Sequence, residues 1–362
     1  MLSSLLSLAS AQTTEVWAPT LPDGGELARS GVVVEDVDGD GELDFIAPNI
    51  RADGSLQIVV QLSTDPDAPQ IHSLDIVPGA THWRTIQVDE DAVNEVYVGL
   101  PNFDGGEFLV INGEALAEDI STWTFLVEGD GNQGDRFGTH LGFVDLTGDG
   151  ILEMVFSSPR DNALVVLETK FPQPTWEQDA LAIVRGEGFV LTNPFTVIQD
   201  RDGDGLSDLL LSTDEGVGWL GSSTLSGELL IEHPSVVGGF TTAPLALETI
   251  PDVDGDGLDD VAWASTDSLV WLSPENGVVS TWPLKLTGDV LGTTDGVWVS
   301  DSGLAKYYPL VGEVQTFEVD GATLGAALRN AGDLNGDGCD EVYASAPERG
   351  SVYTLRASCD AD

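Results

Sequence analysis

Positive charge is scarce in this chain of 362 residues: three lysines (Lys170, Lys285, Lys306) and ten arginines stand against 62 aspartates and glutamates, a formal charge of −49. So large an acid excess repels phosphate backbones and anionic lipid heads, which argues against a nucleic-acid or membrane-surface partner. Histidine is as thin, with four scattered residues (His72, His82, His140, His233) and no HExxH or paired ligand spacing. GxSxG and phosphate-loop motifs are absent, and so is any apolar run approaching the length of a bilayer-spanning helix. These gaps remove the common signatures of hydrolases and nucleotide enzymes, and the sequence is read as a non-enzymatic binding or adhesion module, with lectin-like glycan binding or a polysaccharide-degrading activity assembled from distant loops as the alternatives. Disorder does not follow from the acidity, because 41% hydrophobic residues suffice for a large core. Forty-two glycines, 18 prolines and many short Val/Leu/Ile runs point instead to an all-β protein.

The first residues, MLSSLLSLASAQ, are apolar and end in the small-x-small pattern Ala9-Ser10-Ala11. They lack a basic start and are short, so residues 1–12 read as an abbreviated or clipped export signal. A secreted or cell-surface location is expected.

Repeats carry the architecture. DVDGDGELD begins at Asp36, DLTGDGILE at Asp145, DRDGDGLSD at Asp200, DVDGDGLDD at Asp252 and DLNGDGCDE at Asp333, with a degenerate copy, QVDEDAVNE, at Gln87. About 20 residues after each loop comes an apolar run, and that series has seven members: LQIVVQL, GEFLVI, NALVVL, VGWLGS, SLVWLS, LAKYYPL and SVYTL. The sixth falls in the 81-residue gap between Asp252 and Asp333, so that unit has lost its acidic loop. Each unit holds four short β-branched segments, the layout of a propeller blade. Seven such units predict one seven-bladed β-propeller over residues 13–359, with a tail at 360–362. The last unit ends after its third strand, and the N-terminal TTEVWA has no partner of its own. It is therefore expected to supply the missing fourth strand and close the ring.

In DVDGDGELD, oxygens recur at Asp36, Asp38, Asp40 and Asp44, with the Glu42 carbonyl as a further ligand. The other sets are Asp145, Thr147, Asp149, Ile151 (carbonyl) and Glu153; Asp200, Asp202, Asp204, Leu206 (carbonyl) and Asp208; Asp252, Asp254, Asp256, Leu258 (carbonyl) and Asp260; and Asp333, Asn335, Asp337, Cys339 (carbonyl) and Glu341. A flexible, all-oxygen, multi-carboxylate cage suits Ca²⁺ better than Mg²⁺ or a transition metal, so about five Ca²⁺ sites are expected. EF-hands are excluded: their position 12 is a bidentate Glu, and here it is Ala47, Phe156, Leu211, Trp263 and Ala344. The Gln87 copy has Glu90 and Ala92 where the glycines belong and is expected to be empty.

The stretches RFGTHLGFVDLTGDGILEMVFSSP from Arg136 and ATLGAALRNAGDLNGDGCDEVYASAP from Ala322 resemble the FG-GAP, or integrin alpha-type (VCBS-like), propeller repeat. The resemblance implies seven blades, Ca²⁺ held mainly for structure between first and second strands, and ligand recognition on the opposite face. FG pairs are missing from the other units, and nothing resembles the rest of an integrin.

Two further expectations come from placement. Cys339 and Cys359 lie ten residues to either side of Arg349, the expected turn of the last hairpin, and are expected to pair as a disulfide. Arg29, Arg51, Arg84, Arg136, Arg160, Arg185 and Arg349 fall in connections that up-and-down blades put on the face away from the metal loops, with Trp83, Phe103 and Phe240. They read either as a recognition patch for an anionic, protein or glycan ligand or as neutralisers of nearby acids such as Asp104, Asp130 and Asp135.

Overall fold

The computed structural model describes residues 12–357 apart from 20, 22–24, 30, 37–39, 64–68, 75–82, 87–92, 101–106, 112–123, 129–137, 160, 170–179, 187–189, 214–215, 223–226, 232–236 and 239–243. Residues 1–11 of the proposed export signal and Cys359 lie outside these residues.

Seven antiparallel sheets form a seven-bladed β-propeller. Blade 1 contains Val33–Glu35, Asp44–Ile50, Leu56–Gln61 and Gln70–Leu74. Blade 2 contains Trp83–Ile86, Glu95–Leu100, Glu107–Ile111 and Thr124–Glu128. Blade 3 contains Leu141–Val144, Glu153–Ser158, Ala163–Glu168 and Ala180–Gly186. Blade 4 contains Leu191–Ile198, Asp208–Thr213, Gly216–Leu220 and the two-residue Val237–Gly238. Blade 5 contains Ala246–Ile250, Asp260–Ala264, Ser268–Ser273 and Gly277–Pro283. Blade 6 contains Leu286–Thr293, Gly296–Asp301, Leu304–Pro309 and Gln315–Phe317. Blade 7 contains Leu328–Gly332, Glu341–Ala346 and Ser351–Arg356. All seven expected apolar runs are third strands.

Burial follows position in the blade. Second strands such as EVYVGL, DLLLST and EVYASA are buried along their whole length, because neighbouring blades cover both faces. First strands are less covered, as in Trp83–Ile86, where Arg84 and Thr85 are half-buried between buried ends, because they border the central channel. Seven core clusters result, each mixing residues of two adjacent blades. One joins Trp83 and Val96 of blade 2 to Ile46 and Ile58 of blade 1. Another joins Trp263 of blade 5 to Leu210 of blade 4. A third joins Tyr353 of blade 7 to Trp298 of blade 6. At about 1.5–3 kcal/mol for each fully buried large aliphatic side chain, no blade is stable without its neighbours. Backbones approach closely at these junctions: a Cβ on Gly292 would lie 2.3 Å from the Thr249 carbonyl oxygen of blade 5.

The ring closes as expected. Gln12–Trp17 pairs antiparallel with Ser351–Arg356, Thr13 opposite Leu355 and Trp17 opposite Val352. The strand starts at Gln12, one residue before the expected domain boundary, because Gln12 still finds a partner in Arg356. Trp17 is buried, stacks on Phe45 of blade 1 with ring centroids 5.3 Å apart, and joins the cluster containing Tyr343 and Val352. One strand thus completes blade 7 and ties it to blade 1.

Three details depart from the repeat. Gly227–Ile231 runs parallel to Ala180–Gly186 and adds a fifth strand to blade 3, leaving blade 4 the short outer strand noted above. Glu26–Leu27 pairs with Ile50 and Asn49 beside Val33–Glu35, so the inner edge of blade 1 is shared by two short segments. The last hairpin turns on a 3-10 turn, Pro347–Arg349, with Gly350 left-handed at φ 61°; pairing Val342 with Leu355 centres it between Glu348 and Arg349, half a residue before the expected centre. Cys339 is disulfide-bonded, as expected. It precedes the strand pairing, within the acidic loop.

Candidate metal loops and the central channel

The five acidic loops share one hydrogen-bond scheme. The first carboxylate accepts from the sixth-position amide: Gly41 to Asp36, Gly150 to Asp145, Gly205 to Asp200, Gly257 to Asp252 and Gly338 to Asp333, at 2.7–3.0 Å. The fifth-position carboxylate accepts from the seventh-position amide: Glu42 to Asp40, Ile151 to Asp149, Leu206 to Asp204, Leu258 to Asp256 and Cys339 to Asp337. Such a curl turns amides inward and requires left-handed backbone, so glycine sits there. Gly203 and Gly205 have φ of 84° and 90°, with nothing near a would-be Cβ. These glycines serve conformation, not space.

Blades 4 and 5 have the complete sets. Asp200, Asp202 and Asp208 each offer an oxygen within 4.8 Å of the others, and so do Asp252, Asp254 and Asp260. Asp208 is fully buried and fixed by the amides of Arg201 (2.7 Å) and Ser222 (2.9 Å), while the Ser222 hydroxyl donates to Asp204 at 2.7 Å. Asp260 is equally buried and accepts from Val253 at 2.8 Å. Burial pushes the Asp260 carboxyl up to about 6 against the pull of the Val253 amide, and the charges of Asp254, Asp256 and Asp252 add to the rise. Crowded carboxylates held by inward amides, all hard oxygen donors, fit a calcium-sized cation. Residues Asp200, Asp202, Asp204 and Asp208, and their blade 5 counterparts, would hold it.

The other three loops show fewer of their ligands together among the described residues. In blade 1 the Ser63 amide and hydroxyl fix Asp44 and Asp40 at 2.7 and 2.9 Å, but Asp38 lies outside the described residues. In blade 3, Thr147 replaces a carboxylate and donates to Glu153 at 3.4 Å; burial raises the Glu153 carboxyl above its usual range. In blade 7, Glu341 already accepts from Asn335 and from Arg356, whose Nε is 2.9 Å away. That arginine supplies positive charge where a cation would. The Gln87–Ala92 copy lies outside the described residues. Blade 6 connects its first two strands through Thr294 and Asp295 alone. Arg201 had no role in the sequence reading: its buried side chain reaches from the blade 4 loop to the Asp259 carbonyl (2.9 Å) and Glu275 (3.2 Å) of blade 5.

The expected arginine patch divides. Arg136, Arg160, Phe103 and Phe240 lie outside the described residues. Arg29 pairs with Glu26, Arg51 lies 3.9 Å from Asp53, Arg185 donates to the Asp161 carbonyl and Arg349 to that of Asp320. Local neutralisation accounts for the first two of these contacts, while the last two are hydrogen bonds to neutral backbone carbonyls. Trp83 is corrected: it is fully buried between blades 1 and 2, where a Cβ on Gly31 would strike it, and presents no exposed ring.

Arg84 is different, since it lines a central cavity of about 860 Å³ walled by all seven blades. Its Nη1 donates to the Trp83 carbonyl at 3.0 Å, and Arg329 of blade 7 reaches the same oxygen at 3.3 Å. Arg329 also lies 3.3 Å from Asp289 of blade 6. Burial drives His140 down to about 3, with Arg84 adding to the fall, so this imidazole is neutral. Burial lifts Glu248 to about 7, opposed by Arg84 and Arg329 and reinforced by Asp289. Sequence reasoning missed Arg329, although Trp83-Arg84 and Leu328-Arg329 open first strands with the same apolar-arginine pair.

No helix among the described residues is long and apolar enough to cross a membrane. No protein-family model matches the sequence, and no curated protein matches it either. The fold does have relatives among solved structures. The crystal structure of BBS1N in complex with ARL6DN, soaked with lead, is 12% identical, covers 98% of this chain and 99% of its own, and superposes with a TM-score of 0.59. The mercury-soaked form of that complex gives a TM-score of 0.57 at 12% identity over 97% and 98% of the two chains. At this identity the likeness is one of fold: this chain is a seven-bladed β-propeller.

Proposed function

We propose that this protein is a secreted, calcium-stabilised propeller of the FG-GAP, integrin alpha-like type that serves as a binding or adhesion module and not as an enzyme. The observation that carries the metal part is the convergence of three carboxylates in each of the blade 4 and blade 5 loops. Like charges so close repel strongly, and a divalent cation turns that repulsion into a link between strands. The binding part draws support from the BBS1N propeller, which is engaged with a protein partner, ARL6DN. The partner here, a protein or glycan, is placed on the face away from the acidic loops, where Arg29, Arg51, Arg185 and Arg349 temper the acidity.

Glycan arrays probed with calcium-loaded protein, paired with polysaccharide depolymerisation assays, test the functional part. Retention of glycans that is lost on chelation, with no new reducing ends, is the expected result. Release of reducing ends would make the protein a polysaccharide-degrading enzyme and overturn the reading.

A further inference from the structure

The central channel holds an arrangement that neither the metal loops nor the surface arginines explain. In a protein of charge −49, two guanidiniums from different blades converge on one oxygen, the Trp83 carbonyl. Like charges this close need an anion between or beside them. Asp289 serves Arg329 at 3.3 Å and also accepts from the Leu328 amide at 3.1 Å. Arg84 has no carboxylate within ion-pair distance among the described residues. Its fork has five N–H donors, and one of them is used on Trp83. Both arginines are the second residue of a first strand, so they lie toward the channel end away from the acidic loops.

We propose that this end of the channel binds a small hydroxylated carboxylate, of sugar-acid size, through Arg84 and Arg329. A guanidinium fork matches a carboxylate in two parallel hydrogen bonds. The walls also present Thr85, Thr287 and Asn330, polar groups suited to hydroxyls. The cavity of about 860 Å³ is ample for one or two sugar rings. Glu248 stands in the same wall. Near neutrality it is partly protonated, so it neutralises Arg84 incompletely. The charged groups facing it are Arg84 and Arg329, which favour its anion, and Asp289, which opposes it. An incoming carboxylate is therefore repelled less at pH 6 than at pH 8. This site deepens the reading of the face away from the metals as the ligand face, yet it stands apart from the exposed Arg349.

The test is calorimetric titration of the full, calcium-loaded chain with glucuronate, with glucose and inorganic phosphate as comparisons. Glucuronate is expected to bind and glucose to bind at least about tenfold more weakly, the usual effect of losing a charged hydrogen-bond partner. Arg84→Gln and Arg329→Gln should each weaken glucuronate about tenfold or more, and Arg84→Lys, which keeps charge but loses the fork, should fall between. Arg349→Gln should leave affinity unchanged. Binding should be tighter at pH 6 than at pH 8, and Glu248→Gln should remove that difference. Preserved calcium-dependent melting of each variant shows that it is folded and keeps the metal reading separate. Absence of glucuronate binding, equal binding of glucose or phosphate, or full affinity in both arginine-to-glutamine variants would overturn the proposal. Loss in Arg349→Gln alone would move the ligand to the surface loops and overturn the channel site.

Discussion

Replacing Trp17 with alanine is expected to lower stability by about 3–5 kcal/mol, the range for emptying a buried aromatic site. Trp17 is 5% exposed, stacks on Phe45 and packs with Val352 and Tyr343, so it touches both blades at the closure. Deleting residues 1–17 goes further. It strips the strand pairing that sets Thr13 opposite Leu355 and Glu15 opposite Tyr353, together with the bond from the Tyr353 hydroxyl to Glu15 at 2.9 Å. Ser351–Arg356 then becomes an open sheet edge, which invites pairing with another chain. Chemical denaturation of Trp17→Ala, and light scattering of the deletion variant, read the two effects. A truncated chain that stays monomeric with an unchanged melting temperature would show that closure does not depend on this strand.

Calcium removal is expected to have the second large effect. A ligand held only by the native state adds about 2.7 kcal/mol per site at a hundredfold excess over Kd. For the two complete loops this is roughly 5 kcal/mol. In a chain of 362 residues, with an unfolding entropy of about 2.1 cal/mol/K per residue, each kcal/mol moves the melting temperature by about 1.3 °C. Chelation should thus lower it by about 5–10 °C, and excess calcium, but not magnesium, should restore it. Asp202→Ala should remove a share of this gain without unfolding the protein. Disruption of the blade 7 loop by Asp337→Ala should change it less, because Arg356 already compensates Glu341 there.

Much of this was legible because a propeller repeats its instructions. The apolar runs that form third strands recur about 20 residues behind the acidic loops, and the unmatched TTEVWA had one place to go. The loop curl was legible too, since paired glycines inside a run of aspartates leave the backbone few alternatives. What stayed hidden depends on contacts between distant blades. Arg84 looked like a surface loop residue because the strand Trp83–Ile86 is short and begins right after a connection, yet ring closure turns it inward beside Arg329. Trp83 looked exposed for the same reason and is a junction residue. The parallel strand Gly227–Ile231 was equally unreadable, because Gly-Glu-Leu-Leu-Ile fits either neighbouring blade and only the packing of blade 3 selects one.

The central claim is that the acidic loops hold calcium, and counting the ions tests it most directly. Native mass spectrometry of the protein after equilibration with calcium and removal of the excess should show bound calcium, with the sites of blades 4 and 5 filled first. The double variant Asp202→Ala with Asp254→Ala should lose two ions while keeping its fold. A protein that retains no calcium, or a double variant that retains as many ions as the parent, would contradict the account.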